Sequence, residues 1–335
     1  MERNNSIDFL KGISLYLVVV NHLANQMIGT NIFTQVISLV HLPMLFVASG
    51  YLFNSSWKNR SLNRIILGKV RHLLLPYISW SVIALIVSMI TNHNIRFEFV
   101  KDEFIQIFIY GRSVWFLLTL FLVTVLCSIF FKLFIKIPYL LRIIVFFIGY
   151  IFLCYVLPNE IFQLIKMKVY ILYFILGLFL NEYKEINEKI YSKVRKNIYV
   201  LIALFIVGCF LFLHSEQANY MVDFVIKEEG KYMIVVAYVL TIIGMNLLVY
   251  ICNLKISNNI RNVFQRMGVC SLDIYVIHMF FVRVIGVLML KVVSVEIVRN
   301  ILMFVSGFAI AYTIVVLKER LLKKIKIYRW INGGC

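Results

Sequence analysis

The chain is poor in charged residues and lacks paired cysteines, and both absences narrow its class. Only 15% of its residues are charged, whereas 62% are hydrophobic and the mean hydropathy is +0.89. Soluble domains carry about 25% charged and roughly 45–50% apolar residues, so this composition excludes an ordinary soluble protein. The six cysteines are scattered without metal-binding or redox spacing, which is typical of small buried hydrophobic residues.

Internal repeats, low-complexity tracts and an appended soluble domain are also absent from the sequence. Ten apolar segments are long enough to cross about 30 Å of hydrocarbon, which takes roughly 20 helical residues. We therefore predict an all-α polytopic membrane protein, a single bundle of about ten transmembrane helices forming one domain over residues 1–335. The predicted spans are 7–28, 32–53, 72–91, 114–134, 140–157, 169–183, 198–214, 232–253, 269–290 and 300–318. An additional amphipathic segment is expected between residues 100 and 113.

The basic residues indicate how the spans are oriented. With a cytoplasmic N-terminus, twenty-three Lys and Arg residues fall in cytoplasmic segments and nine in outer segments. Cytoplasmic loops of membrane proteins carry such an excess, so we expect both termini in the cytoplasm. The first apolar segment lacks a small-residue cleavage site, so we expect no cleavable signal peptide. Topology and anionic lipid headgroups account for the net charge of +18, and we predict no nucleic-acid partner.

The first predicted span carries three ionisable residues on one stripe. Lys11 and His22 are eleven positions apart, which returns to within about 20° of the same helix face and places them roughly 16 Å apart along the axis. Asp8 lies on the same flank, one turn before Lys11. Ionisable groups inside a membrane helix are costly, so these three are candidate functional residues.

A second basic group precedes the third span on the side predicted to be cytoplasmic. It consists of Arg64, Lys69 and Arg71, followed by His72. Several cationic side chains together can hold the phosphates of a cytoplasmic ligand through charge-assisted hydrogen bonds. The same residues also suit an ordinary inner loop, so the pattern alone leaves both interpretations open.

Two further histidines fall inside predicted spans. In the second span, His41 precedes Pro43 and is either a polar packing contact or a direct participant. In the ninth span, Ser271, Tyr275 and His278 recur at steps of four and three and share one helix face, which we expect to line the bundle interior. Whether this face touches a substrate or only packs is left open by the pattern.

Six motifs follow one another along the sequence. They are Asp8, Lys11 and His22 in the first span, followed by residues 41–52, 69–77, 115–117, 173–177 and 271–278. Taken together they resemble the acyltransferase family 3 of integral-membrane acyltransferases, whose members O-acylate surface glycans. The resemblance covers residues 3 to about 280.

The resemblance implies acyl transfer from a cytoplasmic thioester donor, acetyl-CoA or another acyl-CoA, to a hydroxyl of a cell-surface or lipid-linked glycan. It implies a multi-pass protein of the bacterial cell membrane, in contact with the lipid bilayer. His22 either takes the hydroxyl proton as a general base or is itself acylated and passes the group on. Lys11 contacts the donor or stabilises developing negative charge, and Asp8 holds Lys11 in place.

The remaining motif residues are assigned by the same resemblance to the two substrates. Arg64, Lys69 and Arg71 are expected to bind the CoA phosphates. No metal is expected. The candidate substrate-binding residues are His41, Ser49, Tyr77, Trp115 and His278.

One position departs from the family pattern. The family usually has arginine where this chain has Lys11, and lysine keeps the charge but loses the planar fork that grips an anion with two hydrogen bonds. This departure affects the role that the resemblance assigns to Lys11, and it affects the family resemblance less.

Two other functions are compatible with ten spans and intramembrane charges. One is a transporter or flippase for a lipid-linked or polymeric glycan, although the halves of the chain show no matching broken segments. The other is a scaffold in a polysaccharide-synthesis complex, in which His22 would be dispensable.

Overall fold

The computed structural model describes residues 4–29, 32–183, 185, 188–189, 192–193, 196–213, 231–293 and 295–333. These residues are predominantly helical and contain no β-strand, which confirms the all-α class. Four of the basic residues that indicate the orientation lie outside the described residues: Arg3, Lys184, Arg195 and Lys227. Residue 214, the end of the seventh predicted span, lies outside them too.

The described helices follow the predicted spans in order. They are α1 (Asn5–Ile28), α2 (Ile32–Trp57), α3 (Leu62–Lys69), α4 (Leu75–Thr91), α5 (Phe97–Phe104), α6 (Trp115–Leu133), α7 (Tyr139–Val156), α8 (Leu164–Glu182), α9 (Ile198–Leu213), α10 (Lys231–Cys252), α11 (Asn258–Val269), α12 (Ser271–Val292), α13 (Glu296–Arg320) and α14 (Lys326–Ile331). The π-helical turn Val70–Leu74 joins α3 to α4, and the π-helical turn Ile105–Ile109 extends α5.

Eight helices among the described residues are long and apolar enough to cross a membrane, which confirms the polytopic class. The predicted seventh and eighth spans contain shorter apolar helices, Ile198–Phe210 and Tyr238–Ile251. The expected amphipathic segment near residues 100–113 is present as α5 and its π-helical turn. The cytoplasmic location of the termini stays a prediction.

By their contacts the residues group into two compact units. Unit 1 comprises Met1–Ala48 and Glu182–Leu322, and unit 2 comprises Ser49–Asn181 and Lys323–Cys335. The expectation of a single domain over the whole chain stays a prediction, and each unit is described by itself below.

Local sequence signals fix the limits of α1. The side chain of Asn4 accepts a hydrogen bond from the backbone N–H of Ile7 at 3.1 Å and caps the N-terminus of the helix. At the other end Gly29 has φ of 69°, a left-handed conformation that glycine adopts without strain and that stops the helix. The candidate residues Asp8, Lys11 and His22 therefore lie on one uninterrupted helix.

The third span begins earlier than the sequence predicted. The helical segment starts at Leu62, because α3 continues through the π-helical turn into α4, whereas the prediction began at residue 72. Pro76 lies in the first turn of α4 and has no N–H to give to the preceding turn. The π-helical turn before it accommodates this missing donor.

Candidate active site

Two histidines of unit 1, His22 of α1 and His278 of α12, lie side by side. Their ring centroids are 5.1 Å apart and their planes are inclined by 42°. His22 is half-buried, whereas His278 is only 2% exposed. Helix periodicity placed each ring on the candidate face of its own helix, but only the tertiary structure brings them together.

Hydrogen bonding fixes the state of the His278 ring. Its Nδ1 lies 3.0 Å from the carbonyl oxygen of Ile274 and 2.7 Å from that of Tyr275. Carbonyl oxygens only accept, so Nδ1 carries a proton, and in the neutral ring Nε2 is then the lone-pair nitrogen. That Nε2 is buried without a hydrogen-bond partner among the described residues. Such unpaired buried atoms are rare, and this one marks a place where a hydrogen-bond donor of a ligand can bind.

The His22 ring is less constrained than that of His278. Within the described ranges neither ring nitrogen of His22 makes a hydrogen bond. A third described histidine of unit 1, His41 of α2, is 2% exposed and its Nδ1 lies 2.6 Å from the carbonyl oxygen of Ile37. Among its described residues, unit 1 thus holds one available imidazole and two that are fixed to their own helices.

A polar contact joins α1 to α2 next to His22. Asn21 Nδ2 donates to Ser38 Oγ at 3.1 Å, and Ser38 Oγ donates to the carbonyl oxygen of Thr34 at 2.8 Å. Asn21 Oδ1 is buried without a partner among the residues that the structure describes. This contact fixes the two helices next to His22 and leaves a second buried acceptor there.

The predicted pairing of Lys11 with Asp8 is present. Lys11 Nζ lies 3.9 Å from Asp8 Oδ1, one helical turn away, and the carboxylate side chain is only 10% exposed. Neutralising the two charges against each other lowers their cost in an apolar environment. The geometry agrees with the expectation that Asp8 holds Lys11, while the catalytic role of both stays a prediction.

Helix α11 packs directly against the turn of α1 that carries Asp8 and Lys11. A Cβ atom on Gly12 would lie 1.9 Å from the carbonyl oxygen of Phe264, and one on Gly268 would lie 1.8 Å from that of Asp8. Both glycines therefore serve a backbone-to-backbone approach of the two helices. The guanidinium of Arg261 also lies 4.9 Å from the ring centroid of Phe9.

Two ion pairs connect α13 to the preceding helices. Lys318 pairs with Asp273 of α12, whose side chain is 1% exposed, and Glu319 pairs with Arg266 of α11 through two hydrogen bonds. The bond to the Glu319 carboxylate raises the pKa of the Arg266 guanidinium. The two ion pairs thus hold α13 against α12, which carries His278, and against α11, which packs on α1.

The predicted phosphate-binding residues all lie in unit 2. Arg64 of α3 and Arg71 of the π-helical turn are exposed, and Lys69, between them in sequence, is half-buried. His72 follows and is exposed. The three cationic side chains therefore lie on one helical segment and are accessible to a polyanion.

Of the predicted substrate-binding residues in unit 2, Tyr77 and Trp115 have defined contacts. Tyr77 is 4% exposed and its hydroxyl donates to the carbonyl oxygen of Ile107 at 3.1 Å. Trp115 has Lys166 Nζ 3.8 Å from its ring centroid and the Tyr170 ring 5.7 Å away. Ser49 is half-buried. The structure thus places these residues in well-packed surroundings, and their role toward a substrate stays a prediction.

The contacts of unit 2 show that Gly50, in the motif at residues 41–52, is a packing residue. A Cβ atom on Gly50 would lie 2.0 Å from the carbonyl oxygen of Phe174, in the motif at residues 173–177. Two of the family motifs therefore meet at a close approach of α2 and α8.

Helix α11 and its contacts were missed from the sequence. The signals were available: Ser257 caps the helix by accepting from the backbone N–H of Ile260 at 3.4 Å, and apolar residues recur on one face. Gly12 and Gly268 are a further signal, because glycine inside a helix is unfavourable and often marks a close approach of another backbone. Within the described ranges no group of three His, Cys, Asp or Glu side chains is arranged to hold a metal ion.

Part of the chain is similar in sequence to a curated protein. The chain is 33% identical over 85 residues to "Nodulation protein NolL" of Mesorhizobium japonicum (strain LMG 29417 / CECT 9101 / MAFF 303099), a match that covers 23% of each chain. The chain therefore aligns with less than a quarter of the length of this curated relative. No solved structure gives a significant match.

A family comparison covers far more of the sequence. The family model Acyl_transf_3, described as an acyltransferase domain, matches residues 4–320. This range contains all six motifs, and it includes α13, which the resemblance noted from the sequence did not reach. Since the match covers nearly the whole chain, the protein belongs to the Acyl_transf_3 family of acyltransferases.

Proposed function

We propose that this membrane-embedded acyltransferase transfers an acyl group, in the simplest case acetyl, from a cytoplasmic acyl-CoA to a hydroxyl of a cell-surface or lipid-linked glycan. The observation that carries the proposal is the pair His22 and His278 within apolar helices. His22 makes no hydrogen bond within the part of the chain that the structure describes. Beside it, the buried Nε2 of His278 lacks a partner among the same residues.

These features suit a general base. A neutral His22 imidazole accepts the proton of the acceptor hydroxyl while the hydroxyl oxygen attacks the thioester carbonyl. An ester bond forms, the carbon–sulfur bond breaks, and the proton passes to the departing CoA thiolate. A positioned base contributes about 10²–10⁴-fold to such a step.

A two-step route uses the same residue. In this route a His22 ring nitrogen attacks the thioester carbonyl and the carbon–sulfur bond breaks, which releases CoA as its thiol. The sugar hydroxyl then attacks the acyl-histidine, the bond from nitrogen to the carbonyl carbon breaks, and the imidazole takes up the hydroxyl proton. Brief incubation with radiolabelled acetyl-CoA in the absence of acceptor separates the routes, because only the two-step route labels the protein on a histidine.

The other members of the site have supporting roles in this proposal. Lys11, paired with Asp8, contacts the donor or stabilises negative charge on the thioester oxygen. His278 is a positioning residue, because its Nδ1 is fixed to α12 and its ring lies against His22. The motif position of His41 supports its assignment to substrate binding.

The donor is assigned to the basic residues of unit 2. Arg64, Lys69 and Arg71 are accessible cations without an acidic neighbour in sequence, since no Asp or Glu occurs between residues 9 and 97. The nucleotide part of CoA carries several phosphate charges, which such a group binds through charge-assisted hydrogen bonds. Ser49, Tyr77 and Trp115 are proposed to contribute to substrate binding in the same unit.

Membership of an acyltransferase family supports transfer chemistry over a glycan flippase or a scaffold. The decisive test compares His22→Asn with the matched variant His93→Asn, which changes an exposed histidine outside the proposed site. We expect His22→Asn to lower acylation of surface polysaccharide, measured by mass spectrometry, by at least about 10²-fold. His93→Asn should leave acylation unchanged.

Two results would contradict the proposal. Near-normal acylation in cells carrying His22→Asn would show that His22 is not catalytic. An unchanged polysaccharide mass in cells lacking the protein would show that the protein does not acylate that glycan. Stabilisation of the purified protein against heat by CoA or acetyl-CoA, which a glycan flippase would not show, tests the donor independently.

A further inference from the structure

The C-terminal segment of unit 2 folds back onto the helical segment that carries the basic residues. Helix α14 is followed by Asn332, which is only 1% exposed. Its Oδ1 accepts a hydrogen bond from Trp80 Nε1 at 2.9 Å. This hydrogen bond holds the segment against α4.

The contact continues at the π-helical turn. A Cβ atom on Gly333 would lie 1.9 Å from the carbonyl oxygen of Arg71 and 3.3 Å from the Cα of His72. Gly333 also has φ of 72°, a left-handed conformation that other residues adopt only with strain. Glycine is thus required here twice, by its conformation and by its distance from Arg71.

The backbone of Arg71 explains why a chain segment can approach so closely. In the π-helical turn the N–H of Leu75 donates to the carbonyl oxygen of Val70, so it is not available to Arg71. The next residue, Pro76, has no N–H. The Arg71 carbonyl therefore has neither Leu75 nor Pro76 as a helical donor, and the backbone at Gly333 approaches it instead.

The approaching segment is strongly basic. Residues 320–333 include Lys323, Lys324, Lys326 and Arg329 and contain no acidic residue. Lys326 and Arg329 are exposed, as is Arg71. Among the described residues no ion pair joins Lys326, Arg329 or Arg71 to a carboxylate, so these exposed cations suit a ligand that carries several negative charges.

We propose that the segment Lys326–Gly333 is part of the acyl-CoA site: its contact with Arg71 and Trp80 brings Lys326 and Arg329 to the nucleotide phosphates of the donor. The inference rests on the proposed function, because it needs an acyl-CoA donor bound at Arg64, Lys69 and Arg71. It adds a second, sequence-distant group of cations to that site. Phosphates of anionic lipid headgroups share this chemistry, and the experiment separates the two sources.

The first test uses two Gly→Ala changes on the full chain, purified and placed in nanodiscs of neutral lipid. Gly333→Ala displaces the segment from Arg71, whereas Gly68→Ala, three residues before Arg71, is the matched control because its Cβ meets nothing within 4 Å. We expect Gly333→Ala to weaken CoA binding in a calorimetric titration by about tenfold, and Gly68→Ala to leave the Kd within about twofold of the wild type.

The second test removes charge without disturbing the contact. The double variant Lys326→Gln with Arg329→Gln should weaken CoA binding by about tenfold, reduce its salt dependence and leave the Kd of pantetheine, which has no nucleotide phosphates, unchanged. The control Lys189→Gln with Lys193→Gln removes two charges from another exposed basic segment and should change none of these values. This test decides the matter if Gly333→Ala does not fold.

The outcomes distinguish this inference from the function on which it rests. If wild-type protein does not bind CoA, the donor assignment of the proposed function is wrong. If it binds CoA and the charge variant binds equally well, the donor stands and the role of the C-terminal segment is wrong. If the charge variant keeps its CoA affinity in neutral nanodiscs and loses only the thermal stabilisation that phosphatidylglycerol in the nanodisc gives the wild type, the segment binds lipid headgroups and the inference is again overturned.

Discussion

Replacing Gly12 with alanine tests whether α1 and α11 meet backbone to backbone. The added Cβ would lie 1.9 Å from the carbonyl oxygen of Phe264, whereas ordinary contact begins at 3.4 Å. The three nearest atoms, the carbonyl oxygen and carbon of Phe264 and the nitrogen of Gly268, all belong to the backbone. No flexible side chain can therefore move aside, and the helices must separate by about 1.5 Å. Overpacking of this kind costs about 1–3 kcal/mol, which exceeds the gain of up to about 1 kcal/mol that alanine brings to a helix.

The matched control is Gly149→Ala in α7. Nothing lies within 4 Å of a Cβ at residue 149, so this variant keeps the helix-propensity gain without the clash. We therefore expect opposite signs: thermal unfolding of the purified protein should shift down by several degrees for Gly12→Ala and stay level or rise for Gly149→Ala.

Activity provides a second measurement of the same contact. Separation of α11 from α1 moves the turn that carries Asp8 and Lys11, so Gly12→Ala should also lower acyl transfer, whereas Gly149→Ala should not. If Gly12→Ala unfolds at or above the wild-type temperature, the close approach described here is wrong, together with its role in fixing the ionised turn.

Three further changes test other parts of the molecule. Lys11→Arg should retain more acyl transfer than Lys11→Ala in the cellular assay, because arginine keeps the charge; equal loss in both would show that the shape of lysine matters more. Asp273→Asn should lower the free energy of unfolding by about 3 kcal/mol in denaturant titration, because it leaves Lys318 without its buried partner, and adding Lys318→Met should recover most of the loss. Val114, with φ of 35°, is strained, so Val114→Gly should leave the thermal unfolding temperature unchanged or raise it; a fall of several degrees would contradict this.

The long apolar helices could be predicted from the sequence because a membrane span needs a minimum apolar length. Their ends were less predictable where charged residues interrupt the pattern. The helical segment begins at Leu62 because Arg64, Lys69 and Arg71 continue the helix, with Arg64 and Arg71 exposed and Lys69 half-buried. Helices α11 and α14 lack span-length apolar runs, so hydropathy could not indicate them.

In the candidate site, contacts within one helix could be predicted from the sequence, whereas contacts between distant helices could not. The pairing of Asp8 with Lys11 was predictable because a spacing of three residues on a helix brings side chains together. The contact of His22 with His278 joins helices far apart in sequence, so no local period could predict it. The same holds for Gly333 against Arg71, which depends on how the chain end packs.

The two intramembrane ion pairs differ in when they can form during synthesis. Asp8 and Lys11 belong to one helix, so each neutralises the other as soon as that helix enters the bilayer. Asp273 must wait for Lys318, 45 residues later, which at ribosomal speed means a delay on the order of seconds. During that interval the newly made ninth span carries an uncompensated carboxylate, and its stable insertion depends on the arrival of the following helix.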